Sequence, residues 1–254
     1  MVVAVLIVAA AAYIALCGAL FLFQRSLIYF PQPRGYQEGV TLTTLPSARE
    51  RILVSTRPTD GPDALLYFGG NAEDVSLNMP VFCGLFPKRA LYFLHYRSYG
   101  GSSGRPTEAD LIADALALFD LVQAQHRNVL VMGRSLGTGI AVHLASRRPV
   151  ERLILITPFD SLLEVARHSF PYLPVRWILR DKFESWRCAP LVTAPTLIIA
   201  AERDEVIPRA STELLRSKFR PDLVSYAVID GATHNTISEC GEYLRLLAEQ
   251  DLQK

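Results

Sequence analysis

The chain has 254 residues, with 26 Lys and Arg against 25 Asp and Glu and a formal net charge of +1. That length suits one domain with a substantial core, and balanced charge without a basic block leaves no footprint for nucleic acid. Four cysteines with no C-x-x-C spacing predict reduced thiols rather than a disulfide framework, and no grouping of His, Cys or carboxylates resembles a metal site.

Residues 1–23 carry no charge, and as a helix they would span roughly 30 Å, about a bilayer core. Arg25 follows, then Tyr29 and Phe30, which suit a membrane interface. No Lys or Arg precedes the apolar run, and the run is longer than the apolar segment of a cleaved signal peptide. Leu16 is too large just before Cys17 for a lipidation site. The expectation is an uncleaved single-pass anchor over residues 1–24 and a domain over residues 25–254. Arg25 and Arg34 on the C-terminal flank predict that this domain is cytoplasmic.

Residues 31–39, rich in Pro, Gly and polar side chains, predict a linker. Two early strands are expected at 40–45 and 51–56, then turn chemistry at 58–62. A clearly buried strand at 64–68 ends in Gly69-Gly70-Asn71-Ala72, and a helix is expected over 73–82. The next strand, Ala90–Leu94, leads into a glycine-rich loop from His95 to Gly104. Thr107 with Asp110 makes a capping box, and Leu111, Ala115, Leu118, Phe119 and Val122 mark the amphipathic helix it opens.

Val129 to Met132 form an unbroken apolar run of the kind a buried parallel strand shows. Gly133-Arg134-Ser135-Leu136-Gly137 follows, and Ile140, Ala141, Leu144 and Ala145 then recur at helical spacing. By itself G-x-S-x-G also fits an ordinary glycine-rich turn. Set between a strand and a helix, it has the context of a nucleophile elbow. Ser135 would sit on a strained turn, and a side chain at 133 or 137 would collide with the neighbouring strand and helix. Gly139 would allow similarly close packing one turn later. The helix start would aim its positive dipole end and the Leu136 N–H at an oxyanion formed beside Ser135.

A strand at Arg152–Ile156 comes next. Residues 157–195 then form an insertion holding Phe170, Tyr172, Leu173, Trp177, Phe183 and Trp186. It is too long for an ordinary connection and too apolar for a solvated loop, so it should carry helices of its own as a small cap. A strand at 196–200, a helix at 209–219 and a strand at 224–229 follow. A last helix over 236–250 should be capped by Thr236 with Glu239. Strands alternating with helices predict an α/β fold, a mostly parallel sheet covered on both faces, with its site at the carboxyl ends of the strands.

Those ends carry Ser135, then Asp204 after the 196–200 strand, then His234 after the 224–229 strand. A serine hydroxyl is a weak nucleophile until a base takes its proton. His234 can be that base, and Asp204 would fix its tautomer and stabilise the imidazolium. Asp160 is the alternative acid. Glu202 and Glu205 should point elsewhere. His95 sits at a strand end as an alternative base or, better, a lining residue of the substrate pocket. His143 suits packing, and His126 and His168 suit the surface or the insertion. Arg97 should pair with a carboxylate to hold its loop, and the aromatic residues of the insertion could pack the cap or line an acyl pocket.

Gly-Arg-Ser-Leu-Gly at 133–137, Glu-Arg-Asp-Glu-Val-Ile-Pro at 202–208 and Gly-Ala-Thr-His-Asn at 231–235 resemble the signature blocks of the alpha/beta-hydrolase superfamily. Phe68-Gly69-Gly70-Asn71-Ala72, Tyr96-Arg97-Ser98-Tyr99-Gly100 and Asp181-Lys182-Phe183-Glu184-Ser185 are similar to a membrane-anchored branch whose eukaryotic members include protein depalmitoylases. The resemblance spans about residues 23–248. It implies Ser135 as nucleophile, Asp204 as acid, His234 as base, and the backbone N–H groups of Leu136 and Asn71 as oxyanion hole. Two positions depart from the branch: Gly69-Gly70-Asn71 where His-Gly-Asn is usual, and Ser98 where Gly is favoured.

The function expected is a membrane-anchored serine hydrolase of carboxylic esters or thioesters, acting through an acyl-serine and needing no cofactor or metal. Its partners would be an acyl substrate such as a lipid or lipidated protein, and the membrane itself, with no nucleic acid. A serine peptidase or amidase, or a non-catalytic membrane scaffold on a hydrolase fold, is the alternative.

Overall fold

A computed structural model describes residues 1–46 and 50–252, so residues 47–49, 253 and 254 of the expected domain lie outside the described residues. Among the described residues eight strands form one sheet: β1 (Thr41–Leu45), β2 (Ile52–Arg57), β3 (Asp63–Phe68), β4 (Ala90–Leu94), β5 (Asn128–Arg134), β6 (Arg152–Ile156), β7 (Thr196–Arg203) and β8 (Val224–Thr233). Their spatial order is β1-β2-β4-β3-β5-β6-β7-β8. β2 is antiparallel to β1 and to β4, and from β4 onward every pair is parallel.

The middle strands read as continuous apolar runs because both faces of the sheet are covered. Along β3, Ala64, Leu66 and Phe68 enter one apolar layer, while Leu65 and Tyr67 enter the other. β5 divides its side chains the same way, with Val129 and Val131 opposite Leu130 and Met132. This is the period-two alternation of a strand with no solvated side.

The first layer packs under α3 (Glu108–Gln123) and α4 (Leu136–Ala145), through Leu111, Leu118, Ile140 and Leu144. The second packs under α2 (Met79–Leu85) and α9 (Gly241–Leu252), through Met79, Phe82, Tyr243 and Leu247. Thr107 caps α3 as its spacing predicts, its hydroxyl accepting from the Asp110 N–H at 3.1 Å.

Two helix ends differ from expectation. The helix expected over 73–82 is a 3₁₀ turn, Val75–Asn78, followed by α2. Asp74 caps the turn by accepting from the Ser76 N–H. Pro80 lies in the first turn of α2, where its missing N–H costs nothing, so the helix begins beside it. The box expected from Thr236 and Glu239 does not form. Thr236 makes no side-chain capping bond; its hydroxyl instead accepts from the Thr233 N–H at 3.1 Å. A short 3₁₀ turn, Ile237–Glu239, then precedes α9.

The insertion after β6 carries α5 (Leu162–Ser169), α6 (Val175–Ile178) and α7 (Ser185–Cys188), and α8 (Arg209–Lys218) follows β7. The N-terminal helix α1 (Val2–Ile28) is long and apolar enough to cross a membrane. Its last turns are fastened to the insertion. Gln24, buried, donates to the Ile178 carbonyl at 2.9 Å and accepts from the Arg180 N–H at 2.7 Å. Asp181 accepts from the adjacent Arg25 at 3.1 Å and, about a turn on, from the Tyr29 hydroxyl at 3.0 Å. The Asp181-Lys182-Phe183-Glu184-Ser185 segment therefore acts as a clasp for the end of α1. Cys17, Cys83, Cys188 and Cys240 are free thiols.

Candidate active site

Ser135 closes the turn from β5 into α4 with φ 48° and ψ −116°, a left-handed conformation that a serine adopts only when its surroundings impose it. The two flanking glycines let strand and helix close tightly around this turn. A Cβ at Gly133 would stand 2.5 Å from the Gly137 carbonyl oxygen, and one at Gly137 only 2.0 Å from that of Phe68. A Cβ at Gly139 would meet Phe183 at 3.0 Å, so the same helix also seats the insertion closely.

The His234 Nε2 lies 2.9 Å from the Ser135 Oγ, and its Nδ1 lies 3.0 Å from both carboxylate oxygens of Asp204. The Asp204 Oδ1 also accepts the N–H groups of Val206 at 3.0 Å and Ile207 at 2.7 Å. An ionised carboxylate only accepts, so the proton of the neutral ring sits on Nδ1 and the Nε2 lone pair faces the serine hydroxyl. Both side chains are shielded, His234 at 7% and Asp204 at 10% exposure.

What brings them together lies past the apolar runs. β7 continues to Arg203 and β8 to Thr233, with a bulge in their pairing, and Arg203 stands opposite Thr233. The residue after each strand end is Asp204 or His234, so the register sets the carboxylate beside the imidazole.

The other candidates are elsewhere. Asp160 is buried, but its carboxylate accepts from Ser211 and from Ser161 and borders a separate cavity of about 420 Å³ beside α8. Burial pushes its carboxyl up from the usual range, the two serine hydroxyls pulling the other way. His95 does not line the cavity at Ser135, contrary to expectation. Its Nε2 bonds the Ser55 hydroxyl at 2.8 Å, and its ring fills the space over Gly100. His143 packs as expected, its Nδ1 3.4 Å from the Cys188 sulfur. His126 is buried rather than superficial, between the Tyr92 hydroxyl and the Gly61 carbonyl; its aromatic partner Tyr92 comes from a strand remote in sequence, which hid this. Glu202 and Glu205 accept the backbone N–H groups of Gly231 and His234, while the ring nitrogens of His234 bond Asp204 and Ser135. Arg97 forks onto Asp114 at 2.9 and 3.0 Å and reaches Asp110 at 2.9 Å.

Ser135, Leu136 and Asn71 border one cavity of about 550 Å³, otherwise walled mainly by apolar side chains such as Phe159, Leu162, Phe170 and Ile207. That size suits a small-molecule or acyl ligand. As the first residue of α4, Leu136 has no carbonyl within its own helix to receive its N–H. Of the insertion aromatics, Phe170 lines the cavity, Phe183 packs in the core, and Trp177 faces outward at 81% exposure.

No family model matches the sequence. An uncharacterized protein of Mycobacterium tuberculosis is 33% identical over 231 residues, covering 84% of this chain and 80% of that one. Alpha/beta hydrolase domain-containing protein 17B of Homo sapiens is 32% identical over 192 residues, 73% of this chain and 65% of that protein. The chain thus spans a little under two thirds of the length of that relative. Among solved structures, the esterase Pf2001 of Pyrococcus furiosus superposes with a TM-score of 0.71 at 15% identity, over 87% of this chain and 97% of that one. The chain belongs to the alpha/beta-hydrolase superfamily.

Around its Ser135 the hydrolase has a set of supporting residues that local sequence patterns do not reveal. Glu73 accepts from the Gly70 N–H at 2.6 Å and from the Tyr67 hydroxyl at 2.7 Å, and it lies 3.6 Å from Arg134, which in turn donates to the His234 carbonyl. The two tyrosines of Tyr96-Arg97-Ser98-Tyr99-Gly100 hold the same loop, Tyr96 donating to the Gly69 carbonyl at 2.7 Å and Tyr99 to the Asn71 Oδ1 at 2.7 Å. Asn71 also binds the end of α1, donating to the Ile28 carbonyl at 2.6 Å and accepting from the Phe30 N–H at 3.0 Å. Motif similarity marked Asn71, Tyr96, Tyr99 and Arg134 but not Glu73 or Tyr67, and no periodicity or spacing assigned any of them partners. Of the two departures from the branch pattern, Ser98 has φ 70°, the conformation that the favoured glycine would adopt without strain.

Burial lowers the imidazoles of His95 and His143 from 6.5 to about 4, with Arg34 and Arg147 adding to the effect and Asp74 opposing it at His95. A histidine whose folded pKa lies below its unfolded one stabilises the fold above the unfolded value. That contribution is lost as pH falls from about 6.5 toward 4, by up to about 3 kcal/mol for each ring. The urea midpoint should therefore drop between pH 7 and pH 4.5, and His143→Asn should reduce that drop by about half. A midpoint indifferent to pH over this interval would show that neither ring is held neutral.

Proposed function

We propose that the chain is a membrane-anchored serine hydrolase that cleaves carboxylic ester or thioester bonds through an acyl-serine intermediate. The observation that carries this reading is the continuous line of contacts from Asp204 through both nitrogens of His234 to the Ser135 Oγ, at the mouth of an apolar cavity.

His234 Nε2 takes the hydroxyl proton as the Ser135 Oγ attacks the acyl carbon, and Asp204 offsets the positive charge that develops on the ring. The carbonyl oxygen, now negative, is received by the N–H groups of Leu136 and Asn71, the first of them at the positive end of the α4 dipole. Collapse breaks the bond to the alcohol or thiol, which leaves with the proton from Nε2. Water then attacks the acyl-serine with His234 again as base, releasing the carboxylic acid and restoring the serine. No step calls for a cofactor or metal.

Ester and thioester are favoured by the apolar cavity, which offers acyl chains a seat and, among the described residues, no charged group for a peptide terminus. α1 crosses the membrane and holds the domain on its cytoplasmic side, next to lipids and lipidated proteins. The branch likeness to protein depalmitoylases points the same way.

A fluorophosphonate probe tests this directly: the intact protein should be labelled, and Ser135→Ala should not. Absence of label on the intact protein would leave the non-catalytic scaffold as the better reading. Labelling together with faster cleavage of peptides than of esters would favour the peptidase.

A further inference from the structure

The cavity at Ser135 has an unexpected wall. Leu20, Gln24, Leu27 and Ile28 of α1 all border it, and their spacing of four, seven and eight residues from Leu20 puts them on one stripe of the helix. The Ile28 end of the stripe is the reaction end, because Asn71, which borders the cavity beside Ser135, grips the Ile28 carbonyl. From there to Leu20 the helix rises about 12 Å.

The opposite wall comes from the insertion, through Leu162, Phe170, Leu173 and Ile178. This wall follows α1 well into its apolar length. The Tyr13 hydroxyl donates to the Tyr172 carbonyl at 2.8 Å, eleven residues before the Gln24 clasp, or about 16 Å farther along the helix. Between that contact and the Gln24 clasp the insertion exposes Phe170 at 57%, Tyr172 at 91% and Trp177 at 81%. Arg176 and Arg180 are exposed among them. Aromatic rings interleaved with arginines are the residues of a membrane interface.

Building on the hydrolase reading above, we infer that α1 is a specificity element of the active site as well as a tether. The acyl chain of a membrane-resident ester or thioester lies between α1 and the insertion along the stripe from Ile28 to Leu20, and Leu20 sets how long a chain is accommodated. The apolar tail reaches the cavity from the lipid side without crossing water, and the domain without α1 would lack one wall of its acyl site.

The test uses the full chain in detergent micelles with 4-nitrophenyl esters of four and sixteen carbons. Leu20→Trp should lower the ratio of kcat/KM for the long ester to that for the short one by about tenfold, the effect of losing the burial of roughly two methylenes. Leu22→Trp, on the outward face at 73% exposure, should leave both rates and their ratio unchanged. A ratio unaltered by Leu20→Trp, or altered equally by Leu22→Trp, would overturn the proposal. A second measurement does not depend on turnover or on the Trp variant folding. A hexadecanoate bearing a photoreactive diazirine at its far end, bound to Ser135→Ala, should cross-link to the α1 peptide containing Leu20. Cross-links confined to other elements would overturn the acyl seat. If the intact protein cleaves neither ester, the hydrolase reading fails, while the cross-link still decides where an acyl chain rests.

Discussion

His234→Ala should lower ester turnover by about six orders of magnitude and Asp204→Asn by about four, with the thermal midpoint of each variant nearly unmoved. The two losses differ in kind. Removing the ring removes the base, and Ser135 then has no proton acceptor within reach. The asparagine acts through geometry. Because the Val206 and Ile207 N–H groups point at Oδ1, the amide oxygen takes that position and the amide nitrogen takes that of Oδ2. The nitrogen would then donate to Nδ1 of His234, fixing the ring in the tautomer whose Nε2 carries the proton and cannot accept another. Asp160→Asn should cost less than about tenfold, since Asp160 is occupied by Ser211 and Ser161. Steady-state rates and melting curves on the three variants settle the order. If Asp160→Asn is the most damaging of them while still folded, the acid has been misassigned.

Gly137→Ala should be the most destabilising methyl that can be added to the chain's elbow. The new Cβ would lie 2.0 Å from the Phe68 oxygen, 2.6 Å from the Phe68 carbonyl carbon and 2.7 Å from the Gly69 oxygen. All three are backbone atoms at the end of β3, so no side-chain rotation relieves the clash. Either α4 lifts from the sheet or the Gly69-Gly70-Asn71 loop moves away from Ser135. The expected cost is about 3 kcal/mol, the upper range for overpacking, and a fall in Tm of roughly 10 °C for a domain of this size. Turnover should fall further than the folded fraction explains, because the displaced loop supplies the Asn71 N–H. Gly84→Ala is the matched control: it lies inside α2 with nothing within 4 Å of the new Cβ, and it should be neutral or slightly stabilising. Equal melting temperatures for the two variants would contradict the close approach of α4 to β3.

Much of this was legible in the residues because it is written in short-range patterns. Val129 to Met132 read as a strand buried on both faces, and the elbow glycines follow from how closely α4 must approach β3 and β5. Ser135, Asp204 and His234 were found by asking what stands at the end of each apolar run. The same method failed where polar residues continue a strand. Glu202 and Arg203, and Asp230 and Gly231, resemble loop composition, yet they carry β7 and β8 on through a bulge, closed by the pairing of Arg203 with Thr233 and by the Gly231 N–H donating to the Glu202 carboxylate. The box at Thr236 failed for a related reason: a threonine three residues before a glutamate signals a helix start, but Thr233 offered the hydroxyl a nearer partner.

By itself, then, the chain's order of residues determined the α/β alternation, the strained serine and the identity of the three groups that follow the strands, since each depends on neighbours a few positions away. Only the tertiary structure decided that Asp204 rather than Asp160 reaches His234. That choice is made by the bulged register of β7 on β8, thirty residues apart. It also decided that α1 lies against the insertion and walls the cavity, through contacts such as Gln24 with Ile178 that bridge 154 residues. A uniformly apolar helix carries no mark of which face it will bury, so that face is chosen by the surface it meets.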